Sequence, residues 1–129
     1  MSLFSLAPSQ YTDKEWLEEV EKIRDVIVTR ARPTGIVIFG SGATGERTSE
    51  SDLDLAVFYT TEEESKNAPA RILAGAPFQT VPVDLLVFHR EEFLLCVEKG
   101  GVALEIRKTG KCIFGVPPWK LDKENDAEK

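Results

Sequence analysis

The sequence predicts an α+β domain: a mixed β-sheet of three to four core strands with helices packed mainly on one side. The chain has 129 residues, the size of one domain with one core. Short apolar runs rich in β-branched residues alternate with longer stretches whose apolar residues recur at helical spacing. Their order, α-β-β-α-β-α-β, is that of a mixed sheet, and it leaves the strand order open.

Residues 1–11 read as an extended lead-in. Thr12 and Glu15 are spaced as a capping box, and Trp16, Val20, Ile23 and Ile27 follow at helical spacing. This predicts a helix over 13–31, stopped by Pro33. "GIVIF", 35–39, reads as a buried strand. A Gly/Ser loop, 40–51, follows, with a short helical turn expected in its "TGERTSES" part. "DLDLAVFY", 52–59, is the second strand. Thr61 and Glu64 form another capping box, opening a polar helix expected to break near Pro69. "VPVDLLVF", 81–88, is a third strand with Pro82 at its entry. "REEFLLCVEK" is an amphipathic helix ended by Gly100 and Gly101. "VALEIRKTG" gives a last turn or two of helix, and "KCIFG" a short final strand. The domain is read as 12–116, and 117–129 as a polar tail docked at most by Trp119.

Composition narrows the function. The net charge of -6 argues against broad binding to a nucleic-acid backbone. It leaves room for a nucleotide bridged by a metal, because the metal brings the positive charge. No apolar run approaches the roughly 18 residues of a membrane span, so no membrane partner is expected. The start lacks the basic region of a secretory signal. Cys96 and Cys112 have no C-x-x-C spacing and read as core thiols of a cytoplasmic protein. A single histidine, His89, rules out a His cluster, so any metal must be held by oxygen.

The carboxylates stand out. Residues two apart in a strand share a face, so Asp52 and Asp54 project together at the strand entrance. Leu53, Leu55 and Val57 line the opposite face. Asp84 interrupts the apolar third strand in the same way. An isolated buried carboxylate costs several kcal/mol or becomes neutral, and three together repel. A divalent cation removes that penalty, and Mg²⁺ takes oxygen ligands while leaving positions for phosphates. Taken singly, Asp52 fits a turn or cap, and Asp84 fits an ion pair with Arg71 or Arg107. Taken together, with a Gly/Ser loop before them, they favour a metal site.

The loop "GSGATG" suits a phosphate. Its glycines permit close backbone approach, consecutive N–H groups form an anion nest, and the Ser41 hydroxyl donates. No Gly-Lys-Ser/Thr follows, so it is not a P-loop. The acidic pair begins 7 residues after Gly45, too close for a dinucleotide fingerprint.

Gly40-Ser41, Ala43, Gly45 and Ser51-Asp52-Leu53-Asp54-Leu55, with Asp84 on the next strand, resemble the signature of polymerase-β-type nucleotidyltransferases. The subgroup they look most like is the minimal (MNT-type) domain proteins. The resemblance spans about residues 12–115 and implies the nucleotidyltransferase fold. It implies that Asp52 and Asp54 ligate Mg²⁺, or Mn²⁺, carrying ATP or another nucleoside triphosphate. Asp84 would hold a second ion and help deprotonate an acceptor hydroxyl. Gly40 and Ser41 would hold the β- and γ-phosphates, with Gly45, Arg47 and Ser51 completing the nucleotide site. The implied reaction moves a nucleoside monophosphate, AMP in the first instance, to a hydroxyl. For the minimal subgroup the implied acceptor is a partner protein, often a helical HEPN-type toxin. The sequence departs from the pattern at Gly42, where many members carry a bulky or basic residue, and at Thr44, where Arg is frequent. Those departures motivate an alternative: a non-catalytic, antitoxin-like binding module that acts by covering a partner. The oligomeric state is left open.

Overall fold

The structure is a computed structural model that describes residues 11–48, 51–75 and 81–120. The lead-in before Tyr11, part of the predicted 44–51 turn and the tail after Lys120 lie outside these residues.

Helix α1 runs Asp13–Ala31. Its start is fixed by reciprocal hydrogen bonds: the Glu15 amide donates to Thr12 Oγ1 at 3.1 Å, and the Thr12 amide donates to Glu15 Oε1 at 2.9 Å. The predicted capping box is therefore formed. The helix ends at Arg32, whose left-handed backbone turns the chain into strand β1, Gly35–Phe39. A one-turn helix α2, Ser41–Thr44, follows directly. It lies earlier than the expected turn because the amides of Ala43 and Thr44 both donate to the Gly40 carbonyl.

Strand β2 is Leu53–Tyr59 and helix α3 is Glu62–Gly75. Contrary to the expected break, α3 continues through Pro69. Pro69 lies on the exposed side, while Ser65, Ala68 and Ile72 are buried along one face. Packing on both sides of the proline outweighs one lost ladder bond. Strand β3 spans Val83–His89, α4 Arg90–Lys99, α5 Val102–Thr109 and β4 Lys111–Gly115.

The sheet order is β3-β2-β1-β4. Strand β1 is antiparallel to β2 and β4, and β2 is parallel to β3. The mixed α+β sheet is thus as expected, with one correction: helices cover both faces. Trp16, Ile23 and Ile27 of α1 and Ile72 of α3 pack on Ile36, Leu53, Leu55 and Val57. Phe93 of α4 and Ala103 and Ile106 of α5 pack on Val37, Phe39, Ala56 and Phe58 on the other side. The reason is visible in β1 and β2, which are apolar at almost every position rather than alternating. Such strands need cover on both faces.

Cys112 is a second correction. It is exposed on β4, and only Cys96 is partly buried. An edge strand covers one flank less than a central one. Among the described residues no helix is long and apolar enough to cross a membrane.

Trp119 closes the second core. Its ring lies 5.6 Å from Phe93 and 6.1 Å, edge-on, from Phe58. Trp119→Ala is expected to destabilise the fold by about 2–3 kcal/mol in urea unfolding. A loss below about 0.5 kcal/mol would show that the residue merely lies on the surface.

Candidate functional site

The site forms where three strands meet at one end of the sheet. Phe39, the last residue of β1, pairs with Asp54 of β2. Asp54 in turn pairs with Asp84 of β3. Adjacent strands lie about 4.8 Å apart, so the two carboxylates are neighbours on one face. They open into a cleft of about 320 Å³ lined by Phe39, Asp54, Asp84, Leu85 and Leu86. Asp52 stands one step before β2 and is exposed. Its neighbour Leu53 is anchored: the Leu53 amide donates to the Pro82 carbonyl at 2.7 Å.

The charges strain one another. Partial burial raises the Asp54 carboxyl from its ordinary 3.8 to about 6, helped by the charges of Asp84, Asp52 and Glu105. Asp52 is also raised, by burial of its carboxyl first and then by the charge of Asp84 and a hydrogen bond with it. Glu105, on α5, adds negative potential that sequence reasoning missed, because an exposed helical glutamate carries no signal of what it faces.

The donor set is wholly oxygen and carries more negative charge than it can comfortably hold. That chemistry fits a hard divalent cation. Among the described residues, no group of three or more His, Cys, Asp or Glu side chains is already arranged to hold one. What the fold supplies is the Asp54–Asp84 pair, with Asp52 hydrogen-bonded to Asp84.

The Gly/Ser loop abuts this pair. Gly40 has a φ of +71°, and a Cβ placed there would lie 2.5 Å from Asp54 Oδ2. Only glycine permits that approach. Ser41 begins α2 and is partly buried. Gly45 closes the turn in the left-handed region at φ +85°.

Gly42 also has a cause. A Cβ there would meet the Trp16 ring at 2.7 Å. Trp16, projecting from α1, takes the space that a side chain on the loop would otherwise occupy.

Arg47 is engaged away from the loop. Its guanidinium sits 4.5 Å from the centre of the Trp16 ring and bonds Asp13 at 2.6 Å. The sequence expectation of a nucleotide contact therefore meets a side chain already held by α1. Ser51 accepts a hydrogen bond from the Thr48 amide through its Oγ at 2.9 Å, closing the turn before Asp52. Of the alternative partners named for Asp84, Arg71 acts on Tyr59 and Arg107 lines a separate cleft with Trp119.

Residues 21–116 match the family model described as "Polymerase beta, Nucleotidyltransferase". The chain belongs to this family. Its fold is similar to that of the spectinomycin adenyltransferase AAD(9) from Enterococcus faecialis, solved with ATP and spectinomycin, at a TM-score of 0.56 and 16% identity. That likeness covers 81% of this chain and 58% of the adenyltransferase, so this chain spans little more than half the length of that relative. A putative nucleotidyltransferase from Sulfolobus solfataricus matches at a TM-score of 0.48 and 17% identity, over 81% of this chain and 90% of that one. A toxin-antitoxin structure, MntA-HpeT, matches at 0.44 and 18%, over 85% and 90%. No curated protein matches the chain. Within the family fold, the carboxylates and the glycine loop share the end of the sheet described above.

A raised carboxyl binds its proton more tightly in the folded chain, so Asp54 favours folding at low pH. That contribution is lost as pH rises from the ordinary 3.8 through about 6. Asp54→Asn should therefore stabilise the metal-free protein at pH 8 by about 1 kcal/mol after solvent screening, read by chemical denaturation. Asp84→Asn should lower the Asp54 carboxyl's pKa, read by carbon-detected NMR titration; an unmoved value would remove Asp84 as a cause. Separately, Gly42→Ala should cost about 1–3 kcal/mol, and Trp16→Leu in the same chain should recover part of that loss.

Proposed function

We propose that this chain is a divalent-metal-dependent nucleotidyltransferase that moves AMP from ATP to a hydroxyl on a partner protein. The observation that carries the reading is the packing of Gly40 against Asp54, beside the Asp54–Asp84 pair. It puts a backbone suited to phosphate within touching distance of carboxylates suited to the cation that accompanies phosphate.

Asp52, Asp54 and Asp84 would hold Mg²⁺ or Mn²⁺, as the family resemblance implies. A bound ion of this kind supplies neutralisation of the triphosphate and of the charge that builds on the attacking and leaving oxygens. The backbone of Gly40 and the hydroxyl of Ser41 bind the β- and γ-phosphates. The Ser41 and Gly42 amides precede the first amide that donates within the turn, and they would serve the same phosphates. Gly45 lets the loop turn back toward β2. Ser51 holds the turn that leads into Asp52. Asp84, at the cleft, takes the proton of the acceptor hydroxyl. The acceptor oxygen then forms a bond to the α-phosphorus, the bond from that phosphorus to the bridging oxygen breaks, and pyrophosphate leaves.

AMP is favoured because the adenyltransferase with the same fold was solved with ATP. A partner-protein acceptor, of the helical HEPN type, is favoured by the resemblance of the Gly40–Leu55 motif to minimal nucleotidyltransferases. A second reading, a non-catalytic module that covers its partner, draws on Arg47: with that side chain committed to Asp13 and Trp16, the Gly40–Gly45 loop has no basic residue of its own.

Incubation with labelled ATP, Mn²⁺ and candidate helical partners separates the two. The transferase reading expects labelled partner and a loss of roughly a thousandfold in the Asp52→Ala/Asp54→Ala variant. Equal labelling by both proteins would sink it. Tight partner binding with no uptake of millimolar Mg²⁺-ATP in calorimetry would instead establish the module.

A further inference from the structure

We propose that Tyr11 is a positioning residue for the transfer reaction, acting through Asp52; this rests on the nucleotidyltransferase reading above. Asp52 is exposed and sits outside both hydrophobic cores. Beyond its hydrogen bond with Asp84, its place is set by the backbone on either side of it. On the C-terminal side the Leu53 amide is fixed to Pro82. On the N-terminal side the anchor comes from 40 residues away. The Tyr11 hydroxyl donates to the Ser51 carbonyl at 2.5 Å and lies 3.2 Å from the Thr48 carbonyl. Asp52 thus hangs between two main-chain anchors, one on each flanking residue.

Tyr11 is itself held firmly. It is 6% exposed and stacks on Trp16 with ring centres 5.7 Å apart. Arg47 lies 5.7 Å over its ring and is pinned by Asp13. The ring alone would serve the core equally well as phenylalanine. The hydroxyl adds the bonds to the Ser51 and Thr48 carbonyls and one with the Arg47 side chain. The residue whose carbonyl it holds, Ser51, directly precedes Asp52. This also explains why Arg47 and Trp16 are built as they are: together they clasp the ring whose hydroxyl holds the loop.

Tyr11→Phe in the full chain tests this, because it keeps the stack and removes only the hydroxyl with its bonds to Ser51, Thr48 and Arg47. Amide exchange of Leu53 in metal-free protein should quicken about tenfold, with Ile38 unchanged. Mn²⁺ affinity by calorimetry should fall about fivefold, and the melting temperature should fall by no more than about 5 °C. Asp52→Asn should weaken Mn²⁺ binding, and adding Tyr11→Phe to it should weaken binding no further. A merely structural tyrosine would give additive losses. Unchanged Leu53 exchange, or additivity, in a protein that binds Mn²⁺ overturns the role of Tyr11 alone. Wild-type protein that binds no Mn²⁺ overturns the proposed function, and the role of Tyr11 with it.

Discussion

The site depends on the parallel pairing of β2 with β3. That register sets Asp54 opposite Asp84, and the pairing holds only because the strands are apolar almost everywhere else. Leu53, Leu55 and Val57 are driven under α1 and α3, while Ala56 and Phe58 are driven under α4 and α5. A slip of one residue would send each set to the wrong face. Burial on both faces therefore fixes the register, and the register forces like charges together. The two cores hold the carboxylates in an arrangement that electrostatics alone would reject.

The glycine loop meets the same demand for closeness. Gly40 lies against Asp54 because a backbone without a side chain fits there. Gly42 has its side-chain space taken by Trp16. What looks in the sequence like a loop stripped of bulk is a loop whose bulk comes from a helix. Trp16 then has two tasks, filling the space over Gly42 and carrying the Arg47 guanidinium. The two ends of the site are in this way built from α1 as much as from the strands.

Much of this was legible in the sequence, for definite reasons. The capping box at Thr12 and the β-branched run at 35–39 are local signals, and both fell in place. The Asp52–Asp54–Asp84 set announced itself because carboxylates in apolar strands are costly and so rarely incidental. What escaped was long-range. The two-sided helix layer was hidden because runs such as IVIF do not say which face is covered by what. Pro69 looked like a break because the packing of Ala68 and Ile72 cannot be seen locally. For Arg47 the sequence shows the spacing from Gly45 and not the meeting with Asp13 and Trp16. Tyr11 gave no sign at all, since its partners lie 37 and 40 residues on.

Strand β4 carries a consequence for how the chain reaches this state. It pairs with β1, joining Gly35 to Gly115 and Ile38 to Lys111. Nearly the whole domain separates the two partners. During synthesis β1 and β2 emerge long before β4, so one flank of a fully apolar strand waits uncovered until β4 follows. Such contacts close slowly and leave an adhesive edge while they wait. Of the four described strands, the last to be made is thus the one that shields the first, and a product truncated before it would expose an edge ready to pair with other chains.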